Sequence, residues 1–228
     1  MMEHGIPKGS SVLICGGPGS GKTIFALQTT QYLAKKGKKV MYMTFEETPN
    51  RLREHMIDFG WDPLPLERSK NLLIKQFSPF DITRQVEALL AKAKGELMID
   101  VKPVLFHKGF NPDIVVIDSL TSIASSFIGK EDTFRIYLEQ MFNLLSETKT
   151  TSFLISERTD GVAALSTAGV DEFLADGLIF LYSIKHGNVR ENSIEILKMR
   201  GANFQKKIVP LRIEKTGIVV YPEQEVFS

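Results

Sequence analysis

The chain has 228 residues, of which 43% are hydrophobic and 24% are charged, and its formal net charge is +1. These proportions are ordinary for a globular protein and exclude a disordered or strongly basic chain, so the overall charge does not favour a nucleic-acid partner. The single cysteine excludes an intrachain disulfide framework, and no apolar stretch is long enough to span a bilayer. We therefore expect one α/β domain over residues 1–228, located in the cytoplasm and not in a membrane.

Apolar strands and helical stretches alternate along the sequence, which predicts a largely parallel, twisted sheet flanked by helices. The first six predicted strands span residues 11–15, 39–45, 72–77, 113–118, 151–156 and 177–183. The predicted helices span residues 23–36, 48–59, 81–94 and 134–147. Three later strands, which predict an antiparallel C-terminal part, span residues 193–199, 208–213 and 217–221. Residues 96–110 fit neither pattern and are interpreted as an insertion, by default a surface hairpin.

A glycine-rich motif follows the first predicted strand. Residues 16–23 read Gly-Gly-Pro-Gly-Ser-Gly-Lys-Thr and fit the pattern G-x-x-x-x-G-K-[ST]. In such a loop the backbone N–H groups turn towards phosphate oxygens, the lysine reaches the terminal phosphates and the threonine hydroxyl binds Mg²⁺. The motif predicts a nucleoside triphosphate site, with Lys22 also acting in catalysis. Its binding residues are Gly17, Pro18, Gly19, Ser20, Gly21, Lys22, Thr23 and Ile24.

An acidic residue closes the strand predicted at 113–118. Four apolar residues precede Asp118, and a carboxylate at the C-terminal end of such a strand lies where open α/β sheets bind ligands. We expect Asp118 and Thr23 to hold Mg²⁺. Ser119 follows directly, whereas many phosphate-loop ATPases carry a glutamate at that point. A catalytic base therefore comes from elsewhere, or the chain does not hydrolyse its nucleotide.

Two glutamates, Glu46 and Glu47, follow the second predicted strand at the same edge of the sheet as the phosphate loop. A carboxylate there can orient and deprotonate the water that attacks the terminal phosphate. Glu46 is the preferred base because it is nearer to the strand. The alternative is that one or both only place negative charge at the N-terminus of the helix opened by Pro49, where the helix dipole favours it.

Together these motifs resemble the RecA superfamily, and within it the KaiC-like or RadA-like single-domain ATPases of archaeal type. The similarity is greatest to the N-terminal, ATPase-type half of the clock protein KaiC. The matching segments are 5–9, 16–23, 44–49, 59–62, 116–120, 156–158, 169–173 and 197–201. The resemblance implies a RecA-like fold, ATP and ADP as ligands, Mg²⁺ as the metal, and a glutamate pair that serves the hydrolytic water.

The resemblance also implies a homo-oligomeric ring, with a hexamer favoured. A K-x-R strand of the family reaches the neighbouring subunit's γ-phosphate, and its cations correspond to Lys198 and Arg200. In the phosphorylating half of KaiC a Ser-Thr pair precedes a strand, and alignment on Asp176 places Glu172 and Phe173 there. We therefore expect ATP hydrolysis without autokinase activity.

The leading hypothesis is an Mg²⁺-dependent ATPase that acts as a nucleotide-driven conformational switch and signals to a protein partner. An alternative is a recombinase paralogue that binds single-stranded DNA through loops at about 121–131 and 158–170. These loops hold Lys130 and Arg158 but only one aromatic residue, Phe127, so they offer little phosphate contact and base stacking. A third reading is a nucleotide-binding scaffold without turnover.

Overall fold

The computed structural model describes residues 1–93, 109–158 and 170–226. Most of the insertion predicted at 96–110 lies outside these ranges. The strands are β1 Ser11–Gly16, β2 Val40–Thr44, β3 Leu72–Gln76, β4 Ile114–Asp118, β5 Thr151–Glu157, β6 Gly177–His186, β7 Val189–Met199, β8 Val209–Glu214 and β9 Gly217–Val220. The helices are α1 Lys22–Lys35, α2 Pro49–Asp58, α3 Leu64–Arg68, α4 Pro79–Lys92, α5 Leu120–Ser125, α6 Glu131–Glu147 and α7 Val170–Leu174.

The strands form one nine-stranded sheet in the order β3-β2-β4-β5-β1-β6-β7-β8-β9. The strands from β3 to β6 in this order pair in parallel, and β7, β8 and β9 continue the sheet in antiparallel fashion. The α/β class, the mostly parallel sheet and the antiparallel C-terminal part that the sequence predicts are confirmed.

Both faces of the parallel strands are buried, because helices cover the sheet on each side. Side chains alternate between the faces, so Val12 of β1 packs with Leu27 of α1. The next residue, Leu13, packs on the other face with Tyr137 and Met141 of α6. Every residue of β1, β2 and β4 is buried. This explains why these strands are continuous apolar runs in the sequence.

Local signals set where the helices next to the loops begin. α1 starts immediately after Gly21, whose φ of 95° is a left-handed conformation that glycine adopts without strain. α2 has Pro49 in its first turn and Thr48 as its N-cap. α5 is capped by Ser119, whose hydroxyl accepts from the backbone N–H of Ser122.

Three short helices were not predicted. They are Leu64–Arg68, Leu120–Ser125 and Val170–Leu174, and the sequence patterns predict no helix at any of these positions. None of the three exceeds two turns, so apolar periodicity is too short to detect. The first loop of the DNA-binding alternative is thus corrected: α5 and the start of α6 occupy most of 121–131. The second loop lies almost wholly outside the described residues.

The β8–β9 hairpin is fastened to α1 and to the segment after α2. Gln28 donates to the Ile218 carbonyl at 3.1 Å and accepts from its N–H at 2.6 Å. Trp61 Nε1 donates to the Thr216 carbonyl at 3.2 Å. Gly217 has φ of 119°, and a Cβ there would lie 2.5 Å from both Gln28 Oε1 and Trp61 Cζ2. Only glycine fits, and the hairpin is thereby held beside the phosphate loop.

In the described part of the chain no helix is long and apolar enough to cross a membrane.

Candidate active site

The phosphate loop connects β1 to α1 in the middle of the sheet, between β5 and β6. A Cβ on Gly16 would lie 2.6 Å from Ser20 Oγ and would also meet the Leu181 carbonyl oxygen, so a larger residue cannot fit. Lys22 Nζ donates to the Gly17 carbonyl at 2.8 Å. Burial lowers the pKa of Lys22, and the nearby carboxylates of Glu157, Asp118 and Glu46 oppose that shift. The lysine therefore lies among acidic groups that converge on the loop.

A cavity of about 520 Å³ opens above this loop. Its floor holds Lys22 and Thr23, and its walls include the acidic residues at the carboxyl ends of β2, β4 and β5. Asp58 and Phe59 from the end of α2 and Ile213 from β8 also line it. A second cavity of about 670 Å³, between the N-terminal segment and α1, is mainly apolar and lies away from the phosphate loop. The loop that the sequence predicts to bind phosphate therefore lines the smaller cavity and not this one.

Asp118 lies at the end of β4 against the start of α1. Its Oδ2 accepts from Thr23 Oγ1 at 3.1 Å and from the Tyr42 hydroxyl at 2.6 Å. Burial raises the pKa of Asp118 to about 6, although both hydrogen bonds act to lower it. A buried carboxylate beside a hydroxyl offers the oxygen ligands that Mg²⁺ prefers, and the cation would relieve the cost of burying the charge.

The described residues contain no group of three or more His, Cys, Asp or Glu side chains that could hold a metal ion alone. This fits Mg²⁺, which usually takes one or two protein ligands and completes its shell with water and substrate phosphates. Asp118 and Thr23 could hold it beside the phosphates of a bound nucleotide.

Glu46 and Glu47 face different surroundings. Glu46 Oε1 accepts from Ser119 Oγ and from Ser122 Oγ, each at 2.6 Å. Glu47 turns towards α2, where its Oε2 lies 3.0 Å from Arg51 Nε and 3.8 Å from His55 Nδ1. Glu46 is thus held beside the end of β4, whereas Glu47 lies against the side of α2 that carries Arg51 and His55.

Several polar residues around the cavity were not identified as site residues from the sequence. Tyr42 is fully buried, and the sequence pattern predicts only that it belongs to the second strand. Glu157 pairs in register with Gly16 and lines the cavity. Its position at the carboxyl end of a predicted strand was a usable signal, since other ligand-facing residues occupy equivalent ends. Ser122 had no such signal, because its role depends on a contact across the sheet edge.

Lys198 and Arg200 lie near the level at which β1 begins, whereas the phosphate loop follows the other end of β1. Met199 pairs with Gly177, which pairs with Val12 near the start of β1. Val12 is about 13 Å from Gly16 along an extended strand. Lys198 Nζ donates to the Glu172 carbonyl at 2.9 Å, and Arg200 donates to the Phe173 carbonyl at 3.2 Å. Both cations therefore contact α7, and neither lines the nucleotide cavity of its own chain.

A profile of the family described as "ATPase: KaiC" matches residues 1–225. The chain belongs to the KaiC ATPase family. The circadian clock oscillator protein KaiC of Parathermosynechococcus lividus is 30% identical over 223 residues, which are 96% of this chain and 40% of that protein. A UPF0273 protein of Pyrococcus horikoshii is 29% identical, and the match covers 98% of this chain and 90% of that protein.

A crystal structure of a KaiC-like protein from the hyperthermophilic archaeon P. horikoshii has the same fold. Its TM-score is 0.77 at 31% identity, over 97% of this chain and 93% of that one. The resemblance to the KaiC-like ATPases that the motifs predict is confirmed, and so is the fold that it implies. The chain spans 40% to 43% of the first clock proteins that it matches.

The buried carboxylate of Asp118 should make metal-free stability depend on pH. Its pKa rises from 3.8 to about 6 on folding, so the folded state binds the proton more tightly and stability falls as pH rises through this interval. The substitution Asp118→Asn removes this charge. The free energy of unfolding of the variant, relative to the native chain, should therefore increase by about 2 kcal/mol between pH 4 and pH 7.

Urea denaturation in EDTA at several pH values measures this difference. Asp132 is exposed at the start of α6, and Asp132→Asn is the matched control, with a small difference expected at every pH. A difference between Asp118→Asn and the native chain that stays constant from pH 4 to pH 7 would contradict the account.

Proposed function

We propose that this protein binds Mg²⁺·ATP and hydrolyses it to ADP and phosphate. The observation that carries the proposal is the convergence of Lys22, the Thr23–Asp118 pair and Glu46 around one cavity. A phosphate loop alone supports binding. A candidate metal site, and a carboxylate that forms no ion pair with any described residue, lie at the same rim and add what hydrolysis requires.

Each group has a distinct task. The loop N–H groups and Lys22 bind the phosphate oxygens and stabilise the charge that develops on them. The Mg²⁺ held by Thr23 and Asp118 would neutralise charge on the β- and γ-phosphates. Glu46 orients a water molecule and accepts its proton as the water oxygen bonds to the γ-phosphorus and the bond to the ADP oxygen breaks. Burial of the Asp118 carboxylate keeps its oxygens close to the metal position.

We place the third element of catalysis on a neighbouring subunit. Lys198 and Arg200 cannot reach the phosphate loop of their own chain, because the strand register puts them level with the start of β1 and the loop follows its end. In a head-to-tail arrangement, the surface of one subunit that carries Lys198 and Arg200 would face the nucleotide cavity of the next subunit, and such contacts can close into a ring. We favour a hexamer, in which the two cations act on the neighbour's γ-phosphate like an arginine finger supplied in trans.

The ring would work as a conformational switch. Contacts of the γ-phosphate with both subunits would order the interface, and hydrolysis would release it, so that a protein partner could distinguish the ATP and ADP states. Autokinase activity on α7 is not proposed, because its sequence Val-Asp-Glu-Phe-Leu contains no hydroxyl side chain.

The substitution Glu46→Gln tests the catalytic base. The amide cannot accept the proton from water, so kcat should fall by about 10²- to 10⁴-fold while the affinity for Mg²⁺·ATP stays within a fewfold. Glu47→Gln is the control, because Glu47 faces Arg51 and His55 and should lose much less. Phosphate release and calorimetric titration measure the two quantities. Equal losses in both variants, or full activity of Glu46→Gln, would refute the assignment of Glu46.

A mixing experiment tests the action in trans. Lys22→Ala removes a cation of the chain's own site, and Arg200→Ala removes the cation offered to the neighbour, so each variant alone should be nearly inactive. A 1:1 mixture should regain about a quarter of the native rate, because one site in four combines an intact loop with an intact neighbour. The control mixture replaces Lys22→Ala with the double variant Lys22→Ala/Arg200→Ala and should stay inactive. Absence of recovery in the first mixture would rule out the trans arrangement.

A further inference from the structure

The carboxylate of Glu46 is held on one side only. Its Oε1 accepts two hydrogen bonds, from Ser119 Oγ and Ser122 Oγ, both at 2.6 Å. The side chain is otherwise exposed at the rim of the cavity. An exposed glutamate with free rotation samples several rotamers, and two short hydroxyl contacts on the same oxygen select one of them. Oε2 is then the oxygen that remains for a water molecule.

The two serines differ in what else they do. Ser119 is the N-cap of α5, so its hydroxyl also accepts from the Ser122 N–H at 3.2 Å. Among the residues that the structure describes, the hydroxyl of Ser122 bonds to Glu46 and lies 3.2 Å from Ser119 Oγ, and it caps no helix. A serine inside a helix commonly bonds to the carbonyl four residues earlier, as Ser125 does with Thr121 at 2.9 Å. Ser122 bonds to Glu46 instead.

α5 provides a rigid base for this contact. Thr121 Oγ1 accepts from the Glu157 N–H at 2.8 Å, which joins the start of α5 to the end of β5. Ser126 Oγ, just after the helix, donates to the Pro79 carbonyl at 3.1 Å, which joins its other end to α4. Leu120 and Ile123 are buried beneath it. A hydroxyl on this helix is therefore held at a fixed place relative to the sheet edge.

We propose that Ser122 is a positioning residue for hydrolysis, which fixes the Glu46 carboxylate so that Oε2 faces the attacking water. This inference rests on the proposed role of Glu46 as base. Ser122 acts through Glu46 and does not touch the nucleotide. Its contribution therefore belongs to kcat and not to ATP binding.

The test compares Ser122→Ala with Ser122→Thr and Ser125→Ala in steady-state hydrolysis, with nucleotide affinity measured by calorimetry. Ser122→Ala should lower kcat by about 10- to 100-fold, as expected for a misaligned catalytic group, and leave KM and the affinity for Mg²⁺·ATP unchanged. Ser122→Thr keeps the hydroxyl and should retain most of the activity. Ser125→Ala, one turn further along α5, should behave like the native chain.

The double variant Glu46→Gln/Ser122→Ala should be no slower than Glu46→Gln, because Ser122 acts only through that carboxylate. The proposal is overturned if Ser122→Ala keeps the native kcat, if it loses affinity in parallel with rate, or if Ser125→Ala is equally impaired. If Glu46→Gln itself hydrolyses ATP normally, the proposed base fails as well. If Glu46→Gln is inactive and Ser122→Ala is not, only the positioning role fails.

Discussion

The hydrogen bonds that Asp118 accepts from Tyr42 and Thr23 join the sheet to the phosphate loop. They bring together β4, β2 and the first turn of α1. Because β4 and β1 both pair in parallel with β5, the carboxyl end of β4 lies at the same end of the sheet as the phosphate loop that follows β1. Because burial raises the pKa of this group to about 6, the metal-free site carries a destabilising charge that a divalent cation would offset.

The direction of the strands also explains why Glu46 and Ser119 lie beside the phosphate loop, whereas Lys198 and Arg200 do not. Glu46 and Ser119 follow directly after neighbouring strands, so they meet without any long connection. Lys198 and Arg200 donate to carbonyl oxygens of α7, and Arg158, which follows β5, binds Asp171 of the same helix at 2.9 Å. The backbone N–H of Arg158 in turn donates to the Gly16 carbonyl at 3.0 Å. The buried ion pair between Arg158 and Asp171 therefore connects the phosphate loop with the helix whose carbonyl oxygens accept from both cations.

Much of the fold and part of the site could be predicted from the sequence. Local sequence patterns predict the phosphate loop, the strand ending at Asp118 and the alternation of strands with helices. Glycine positions and apolar runs are properties of short segments, so they can be recognised without knowledge of the tertiary structure. The contact of Ser122 with Glu46 spans 76 positions and depends on the packing of a helix too short to show periodicity. The location of Lys198 depends on strand register, which alternation alone does not set, since a bulge lies between Leu178 and Ile179.

The most direct test of the account is calorimetric titration of the native chain and of Asp118→Asn with ATP, in Mg²⁺ and in EDTA. If Asp118 and Thr23 hold the metal against the phosphates, Mg²⁺ should tighten ATP binding to the native chain by at least about tenfold and change binding to the variant little. An equal gain from Mg²⁺ in both proteins, or no binding of ATP to the native chain, would contradict the account.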